Sequence, residues 1–121
     1  MSWLGIPHAA GGESRTGADC WGLVRLYARE ELGLALPAIG RDDGWSAVDG
    51  QKSRTAWREV RGPAEHGDVL LFRLPGGMLH VGVALPDGRF LHVMEGGGSR
   101  IDTLAHDPWR RLIVGAYRWT G

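Results

Sequence analysis

The chain has 121 residues, and its 14 basic and 14 acidic side chains give a formal net charge of zero at neutral pH. A chain of this length usually forms one domain with one core, so we expect residues 1–121 to be a single domain. The balanced charge argues against nucleic acid as a partner. Its only cysteine, Cys20, cannot form an intrachain disulfide, which excludes a disulfide-stabilised scaffold.

The N-terminal segment Met1–Arg15 lacks the basic stretch and the long apolar stretch of a secretory signal peptide. Apolar runs elsewhere, such as Val69–Phe72, are far shorter than the roughly 18 residues of a membrane span. We therefore expect synthesis in the cytoplasm without a signal peptide, and no membrane span.

A helix is predicted between Asp19 and Gly33. Its apolar residues recur at the spacing of one helix face, namely Cys20, Leu23, Val24 and Tyr27. Asp19 suits the N-cap position, because its carboxylate can accept hydrogen bonds from the free backbone N–H groups of the first turn. Gly33 suits the left-handed position that ends a helix. Cys20 is then the first helical residue, on the side that faces the rest of the core.

Two less regular segments follow the helix. Pro37–Ser53 contains Asp-Gly pairs without any period and is predicted to be a long surface loop. Thr55–Val60 is predicted to be a short helix that ends before Gly62-Pro63.

Short apolar segments bounded by Gly, Pro or Asp dominate the sequence after Gly67 and predict antiparallel strands. They are Val69–Phe72, Leu79–Leu85, Arg89–Met94 and Leu112–Trp119. The order of elements predicts an α+β domain, in which the N-terminal helix that carries the cysteine packs on a small antiparallel β-sheet.

The turn between the second and third of these strands decides where His80 and His92 point. A two-residue turn at Asp87-Gly88 would place the two histidines on opposite faces of the sheet. A three-residue loop, Pro86–Gly88, places proline in the second position of a type I turn and glycine in the left-handed position that follows. Both placements are favourable, so we expect the three-residue loop.

That loop pairs Leu85 with Arg89 and Gly82 with His92. His80 and His92 then share a face as diagonal neighbours, with Cα atoms about 7–8 Å apart, so that their imidazoles can meet. Gly82 leaves the space beside His92 open.

Together with Cys20, the two histidines make a set suited to acyl transfer. A thiol in the first turn of a helix lies at the positive end of the helix dipole, which favours the thiolate at neutral pH. His80 would serve as general base and acid, His92 would orient it, and the backbone N–H of Cys20 would stabilise an oxyanion. The alternatives are a cysteine packed as a small apolar residue, or a zinc site. Because CxxC and HExxH spacings are absent, we predict no metal and no cofactor.

The motifs along the chain resemble those of the NlpC/P60 family of papain-like cysteine peptidases, particularly the compact members from phage and prophage tail gene clusters. The resemblance is carried by Leu4-Gly5-Ile6-Pro7, Gly11-Gly12, Gly17-Ala18-Asp19-Cys20-Trp21-Gly22-Leu23, Gly67-Asp68-Val69-Leu70-Leu71-Phe72, His80-Val81-Gly82-Val83 and Phe90-Leu91-His92. It implies a papain-like fold in which Cys20 is the nucleophile, His80 the base and acid, and His92 the orienting residue. The family implies cleavage of cell-wall peptides, commonly between γ-D-glutamyl and a diamino acid.

Two positions depart from the family pattern. Trp21 stands where many members have serine, and its bulk is expected to reshape the substrate cleft. His8 stands where many members have a tyrosine that supplies a hydroxyl near the oxyanion. We therefore place His8, Asp19 and Trp21 on the oxyanion and substrate-binding side of the site.

The resemblance leads us to expect a hydrolase of peptidoglycan stem peptides that is a component of a virion or phage-like tail, with tail proteins as partners. One alternative is a structural tail-tip or assembly protein with the same fold and little activity. An amidase or acyltransferase on the same fold also stays open, because the residue set defines acyl transfer but not the acceptor.

Overall fold

The computed structural model describes residues 2–37 and 57–121. The chain begins with a small hairpin of two short strands and continues into helix α1. Within the described residues, six further strands form one antiparallel sheet in the order β3-β8-β4-β5-β6-β7. The elements are β1 (Glu13–Ser14), β2 (Gly17–Ala18), α1 (Cys20–Leu32), β3 (Trp57–Glu59), β4 (Val69–Arg73), β5 (Leu79–Ala84), β6 (Arg89–His92), β7 (Arg100–Thr103), α2 (Trp109–Leu112) and β8 (Ile113–Trp119). The predicted α+β architecture is confirmed.

Helix α1 has the predicted ends. The Asp19 carboxylate accepts a hydrogen bond of 2.6 Å from the backbone N–H of Gly22. Gly33 is left-handed with φ of 66°, and its N–H donates to the Ala28 carbonyl, which closes the last turn. Both caps are local, and for that reason the sequence predicted them correctly.

The sheet buries apolar side chains on both faces. Helix α1 covers one face, and the helix and strand side chains there form a first cluster that includes Leu23, Val24, Tyr27, Val81, Val83, Leu91 and Val93. A second cluster on the other face consists of Leu70, Phe72, Ala84 and Phe90, with Trp109 of α2 packed against it.

The register of β5 against β6 is the one that the three-residue loop predicted. Val83 pairs with Leu91, and the Leu85 N–H donates to the Arg89 carbonyl at 2.8 Å. The type of turn is different, however. Asp87 has φ of 67° and Gly88 has φ of 75°, whereas a type I turn requires a negative φ at Asp87. Aspartate is among the few residue types that adopt this conformation without large strain.

The predicted helix at Thr55–Val60 is wrong. Residues 57–59 form strand β3, and Trp57 pairs with Trp119 of β8. The Trp57 side chain is buried and its ring lies 5.0 Å from that of Trp119, so pairing with a distant strand outweighs the local helical pattern. Most of the predicted loop Pro37–Ser53 lies outside the described residues.

Strand β7 and helix α2 were not predicted. Each has four residues, and charged side chains occupy half of each, so neither has the periodicity that identifies longer elements. No helix within the described residues is long and apolar enough to cross a membrane.

Replacing Gly82 by alanine tests the close packing of β5 against β6. A Cβ at this position would lie 2.9 Å from the Phe90 ring and 3.0 Å from the Leu91 carbonyl oxygen. We expect Gly82→Ala to lower the free energy of unfolding by about 1–3 kcal/mol in urea denaturation, despite the smaller entropy of the unfolded chain.

Gly97→Ala is the matched control, because its Cβ would meet only the Met94 carbonyl oxygen at 3.7 Å. Equal stability of the two variants would show that β6 is not packed closely against Gly82.

Candidate active site

Cys20 is the first residue of α1, and its half-buried side chain packs against the first cluster. The backbone before it is held by Asp19, whose side chain is buried. One carboxylate oxygen accepts from the Gly22 N–H, and the other accepts from the Gly11 N–H at 2.9 Å. Asp19 therefore fixes the start of the helix against the preceding loop, and both of its carboxylate oxygens accept backbone hydrogen bonds.

A hydrogen-bonded chain of three side chains crosses β5, β6 and β7. The His80 Nε2 atom lies 2.8 Å from His92 Nδ1, and His92 Nε2 lies 2.7 Å from a carboxylate oxygen of Asp102. His92 is completely buried and His80 is 5% exposed. The predicted contact between the two imidazoles is therefore present.

Of the three hydrogen-bonded side chains, Asp102 is the one that the sequence analysis missed. It lies on β7 opposite Phe90, one diagonal step from His92 in the sheet. The period-two alternation of Arg100-Ile101-Asp102-Thr103 is the one signal that could have found it. Such a signal in four residues is too weak to place a strand.

Aromatic rings surround the imidazole pair. The ring of Trp109 lies 4.7 Å from that of His92, at an angle of 81°, and 5.9 Å from that of His80. Phe90 and Phe72 pack beside the same two rings. The imidazoles are thus shielded from water, and their mutual hydrogen bond is made in an apolar setting.

This burial controls the protonation of the pair. Burial, together with the charges of His92 and His8, lowers the pKa of His80 to about 3. Burial also lowers the pKa of His92, although the hydrogen bond and charge of Asp102 act in the opposite direction. Both imidazoles are therefore neutral at pH 7.

Asp102 is ionised beside them. Burial acts to raise its pKa, but hydrogen bonds from His92 and Arg100, together with the charge of Arg100, outweigh burial and lower it. The Arg100 guanidinium reaches both carboxylate oxygens, at 2.8 and 3.1 Å, from the solvent side.

His8 lies between the start of α1 and the imidazole pair. Its backbone bridges to Ala18, just before the helix, and its N–H donates to the Gly97 carbonyl at 3.1 Å, in the turn after β6. Its charge also influences His80. The His8 backbone thus joins the start of α1 to the turn after β6, and its assignment to the oxyanion side of the site stays a prediction.

Trp21 points to a different neighbourhood from the imidazoles. Its indole N–H donates to the Pro37 carbonyl at 3.2 Å, and its ring lies 6.3 Å from that of Trp57. The half-buried Trp21 ring, adjacent to Cys20 in sequence, therefore packs toward Pro37 and Trp57.

The two faces of the sheet divide the predicted site. His80 stands opposite Phe72 in the register, so the imidazole pair lies on the face of the second cluster, whereas Cys20 packs against the first. Helix α1 contacts both β5 and β6, the His8 backbone bridges to Ala18 at the helix start, and the charge of His8 acts on His80. The pairing of Cys20 with His80 stays a prediction, which this proximity supports. In the described part of the chain, no three His, Cys, Asp or Glu side chains are arranged to hold a metal ion.

Comparison with known proteins assigns the family. The sequence profile described as the NlpC/P60 family matches residues 5–118, which include every predicted site residue as well as Asp102. The chain belongs to the NlpC/P60 family. The predicted relationship is therefore confirmed, and so is the fold, because the NlpC/P60 structures share it.

Two curated relatives and one solved structure illustrate the similarity. The chain is 28% identical over 118 residues to murein DD-endopeptidase MepS/murein LD-carboxypeptidase of Escherichia coli K12, over 96% of this chain and 57% of that protein. It is 28% identical over 120 residues to gamma-DL-glutamyl hydrolase of Bacillus subtilis 168, over 97% of this chain and 27% of that protein. An NLP/P60 family protein from Staphylococcus aureus has a TM-score of 0.68 and 26% identity, over 98% of this chain and 38% of that one. The chain thus spans less than two thirds of each of these proteins.

The lowered pKa values of His80 and His92 predict how the stability of this NlpC/P60 domain depends on pH. Below pH 6.5 the unfolded chain protonates both histidines while the folded protein keeps them neutral, so stability is lost as pH falls from 6.5. Each histidine contributes at most about 1.4 kcal/mol per pH unit. We expect the free energy of unfolding to fall between pH 6.5 and 5, and to fall less steeply in His80→Gln.

His106→Gln is the control, because His106 is exposed and lies outside the imidazole pair. Urea denaturation at four pH values measures the slopes. An unchanged slope in His80→Gln would mean that His80 is protonated in the folded protein.

Proposed function

We propose that this domain is a cysteine peptidase that hydrolyses peptidoglycan stem peptides. The supporting observation is the buried, hydrogen-bonded His80–His92 pair with His8 beside it, in a chain of the NlpC/P60 family whose cysteine begins a capped helix. This combination supplies a nucleophile, a neutral base and an orienting imidazole.

In the proposed reaction, the Cys20 thiol gives its proton to His80, and the thiolate attacks the scissile carbonyl carbon, whose π electrons move to the oxygen. Because Nε2 of His80 is hydrogen-bonded to His92, Nδ1 is the atom that exchanges protons with Cys20. The thiolate formed lies next to the imidazolium, and this opposite charge compensates for the burial that otherwise disfavours protonated His80.

The tetrahedral intermediate then breaks the C–N bond. His80 returns its proton to the leaving amine, which leaves an acyl group on the Cys20 sulfur. The backbone N–H of Cys20, at the start of α1, is the proposed donor to the oxyanion. Water, deprotonated by His80, then attacks the thioester and releases the carboxylic acid and the free thiol.

The proposed bond is the one between γ-D-glutamyl and a diamino acid such as diaminopimelate. One relative is named a gamma-DL-glutamyl hydrolase, which supports this bond, while another is named a murein DD-endopeptidase, which makes the D,D cross-link the competing candidate. Either bond is an amide of a stem peptide, so the same site chemistry serves both.

Two synthetic substrates distinguish these bonds. We expect L-alanyl-γ-D-glutamyl-diaminopimelate to be cleaved after the glutamyl residue, and a dimer that contains only the D-alanyl-diaminopimelate amide, without γ-glutamyl residues, to stay intact, as followed by mass spectrometry. Cys20→Ala should abolish cleavage. Hydrolysis of the dimer alone would reassign the bond, and hydrolysis of neither would contradict the proposed function.

The reactivity of Cys20 tests the nucleophile without any substrate. We expect alkylation by iodoacetamide to persist well below the free-thiol pKa of about 8.5, because a neutral imidazole can take up the thiol proton. His80→Ala should lose this low-pH reactivity. A thiol of ordinary reactivity in both proteins would favour a structural tail component instead.

We also propose that the protein is carried on a phage-like tail, a location supported by its resemblance to the compact tail-associated members. A tagged chain expressed from its native locus should then sediment with tail particles after induction. Its exclusive recovery away from such particles would contradict the location while leaving the proposed chemistry intact.

A further inference from the structure

We propose that Asp102 is a positioning residue that sets the tautomers of both imidazoles, so that Nδ1 of His80 carries no proton before catalysis. This inference rests on the proposed function for its catalytic meaning, but not for its structural content. Neither the family comparison nor the sequence motifs assign a role to Asp102.

The first step is the contact between Asp102 and His92. An ionised carboxylate can only accept hydrogen bonds, so at 2.7 Å the Nε2 atom of His92 must carry a hydrogen and donate it. Arg100 keeps the carboxylate ionised by contacting both of its oxygens. Asp102 thus holds His92 in its Nε2–H form.

The second step is that the tautomer of His92 determines the tautomer of His80. His92 is completely buried and neutral, so its Nδ1 carries no hydrogen and can only accept. His80 Nε2, at 2.8 Å, must therefore donate. Because His80 is also neutral, its remaining nitrogen, Nδ1, has a free lone pair.

The hydrogen bonds that link His80 through His92 to Asp102 also stabilise His80 once it has accepted a proton. The positive charge on His80 is stabilised through His92 by the carboxylate of Asp102, whose side chain is only 18% exposed. The Trp109 ring keeps water away from the imidazole pair, so water cannot replace Asp102 in stabilising the charge. An amide in place of the carboxylate would lack the negative charge and could reverse the direction of both hydrogen bonds.

Other charged groups near the two imidazoles also affect their protonation. The groups that act on His92 are His80 of β5 and, on β7, Asp102 and Arg100. Those that act on His80 are His92 and His8 of the N-terminal segment. His8 and Arg100 oppose protonation of the pair, and Asp102 is the group that favours it. The effect of Asp102 therefore has no substitute among these neighbours.

Nitrogen-15 NMR of the imidazole rings at pH 7 tests the inference directly. We expect the wild-type protein to show the Nε2–H tautomer at both His80 and His92. In Asp102→Asn the amide NH₂ can donate to His92 Nε2, so we expect a substantial shift of both rings toward the Nδ1–H tautomer. Asp102→Glu should retain the wild-type tautomers, because a carboxylate is still present.

Activity provides the second readout. We expect Asp102→Asn to lower kcat by about 10–100-fold with little change in KM, the size of effect known for partners that orient metal-bound histidines. Asp102→Glu should recover a large part of the loss. Asp87→Asn is the matched control, because Asp87 is an exposed carboxylate at the far end of the same hairpin and asparagine also adopts its left-handed backbone.

The outcomes separate this inference from the proposed function. An Nδ1–H tautomer at either ring of the wild-type protein would overturn it, even if Asp102→Asn does not fold. Unchanged tautomers in a folded Asp102→Asn would overturn it as well. The expected tautomers in a protein that cleaves neither stem peptide would refute the proposed function and leave the role of Asp102 established.

Discussion

The register of β5 against β6 determines how His80 and His92 are placed relative to each other in the candidate site. It is set by the loop Pro86–Gly88, at the opposite end of the hairpin from His80 and His92. A slip of one residue would move one imidazole to the other face of the sheet and remove the hydrogen bond between them. The chemistry of the site therefore depends on a turn that is remote from it.

Burying two imidazoles would cost stability if their polar atoms had no partners. In this protein the cost is limited, because each buried nitrogen of His92 is hydrogen-bonded and the chain ends on a carboxylate that reaches solvent through Arg100. Among the described residues, no buried side-chain nitrogen or oxygen lacks a partner. The same burial keeps both imidazoles neutral at pH 7, but it also lowers the affinity of His80 for a proton, which a nearby negative charge has to offset.

Local signals explain which parts of this structure could be predicted from the sequence. Asp19 and Gly33 identify the ends of α1, and the proline and glycine of the β5–β6 loop identify its length, since each acts on its own backbone. Trp57 was assigned wrongly because its strand exists only through pairing with β8. Asp102 was missed for the same reason: a four-residue edge strand becomes recognisable only once β6 is beside it.

The relation between Cys20 and His80 depends on the N-terminal segment rather than on the sheet. The two residues belong to different faces, so strand pairing alone cannot bring them together. The backbone of His8 joins Ala18 on one side and Gly97 on the other, and thereby fixes the start of α1 against the turn that follows His92. Asp19 adds a second attachment through the Gly11 N–H. Changes in this segment should therefore alter the reactivity of Cys20 without altering the hydrogen bonds between His80, His92 and Asp102.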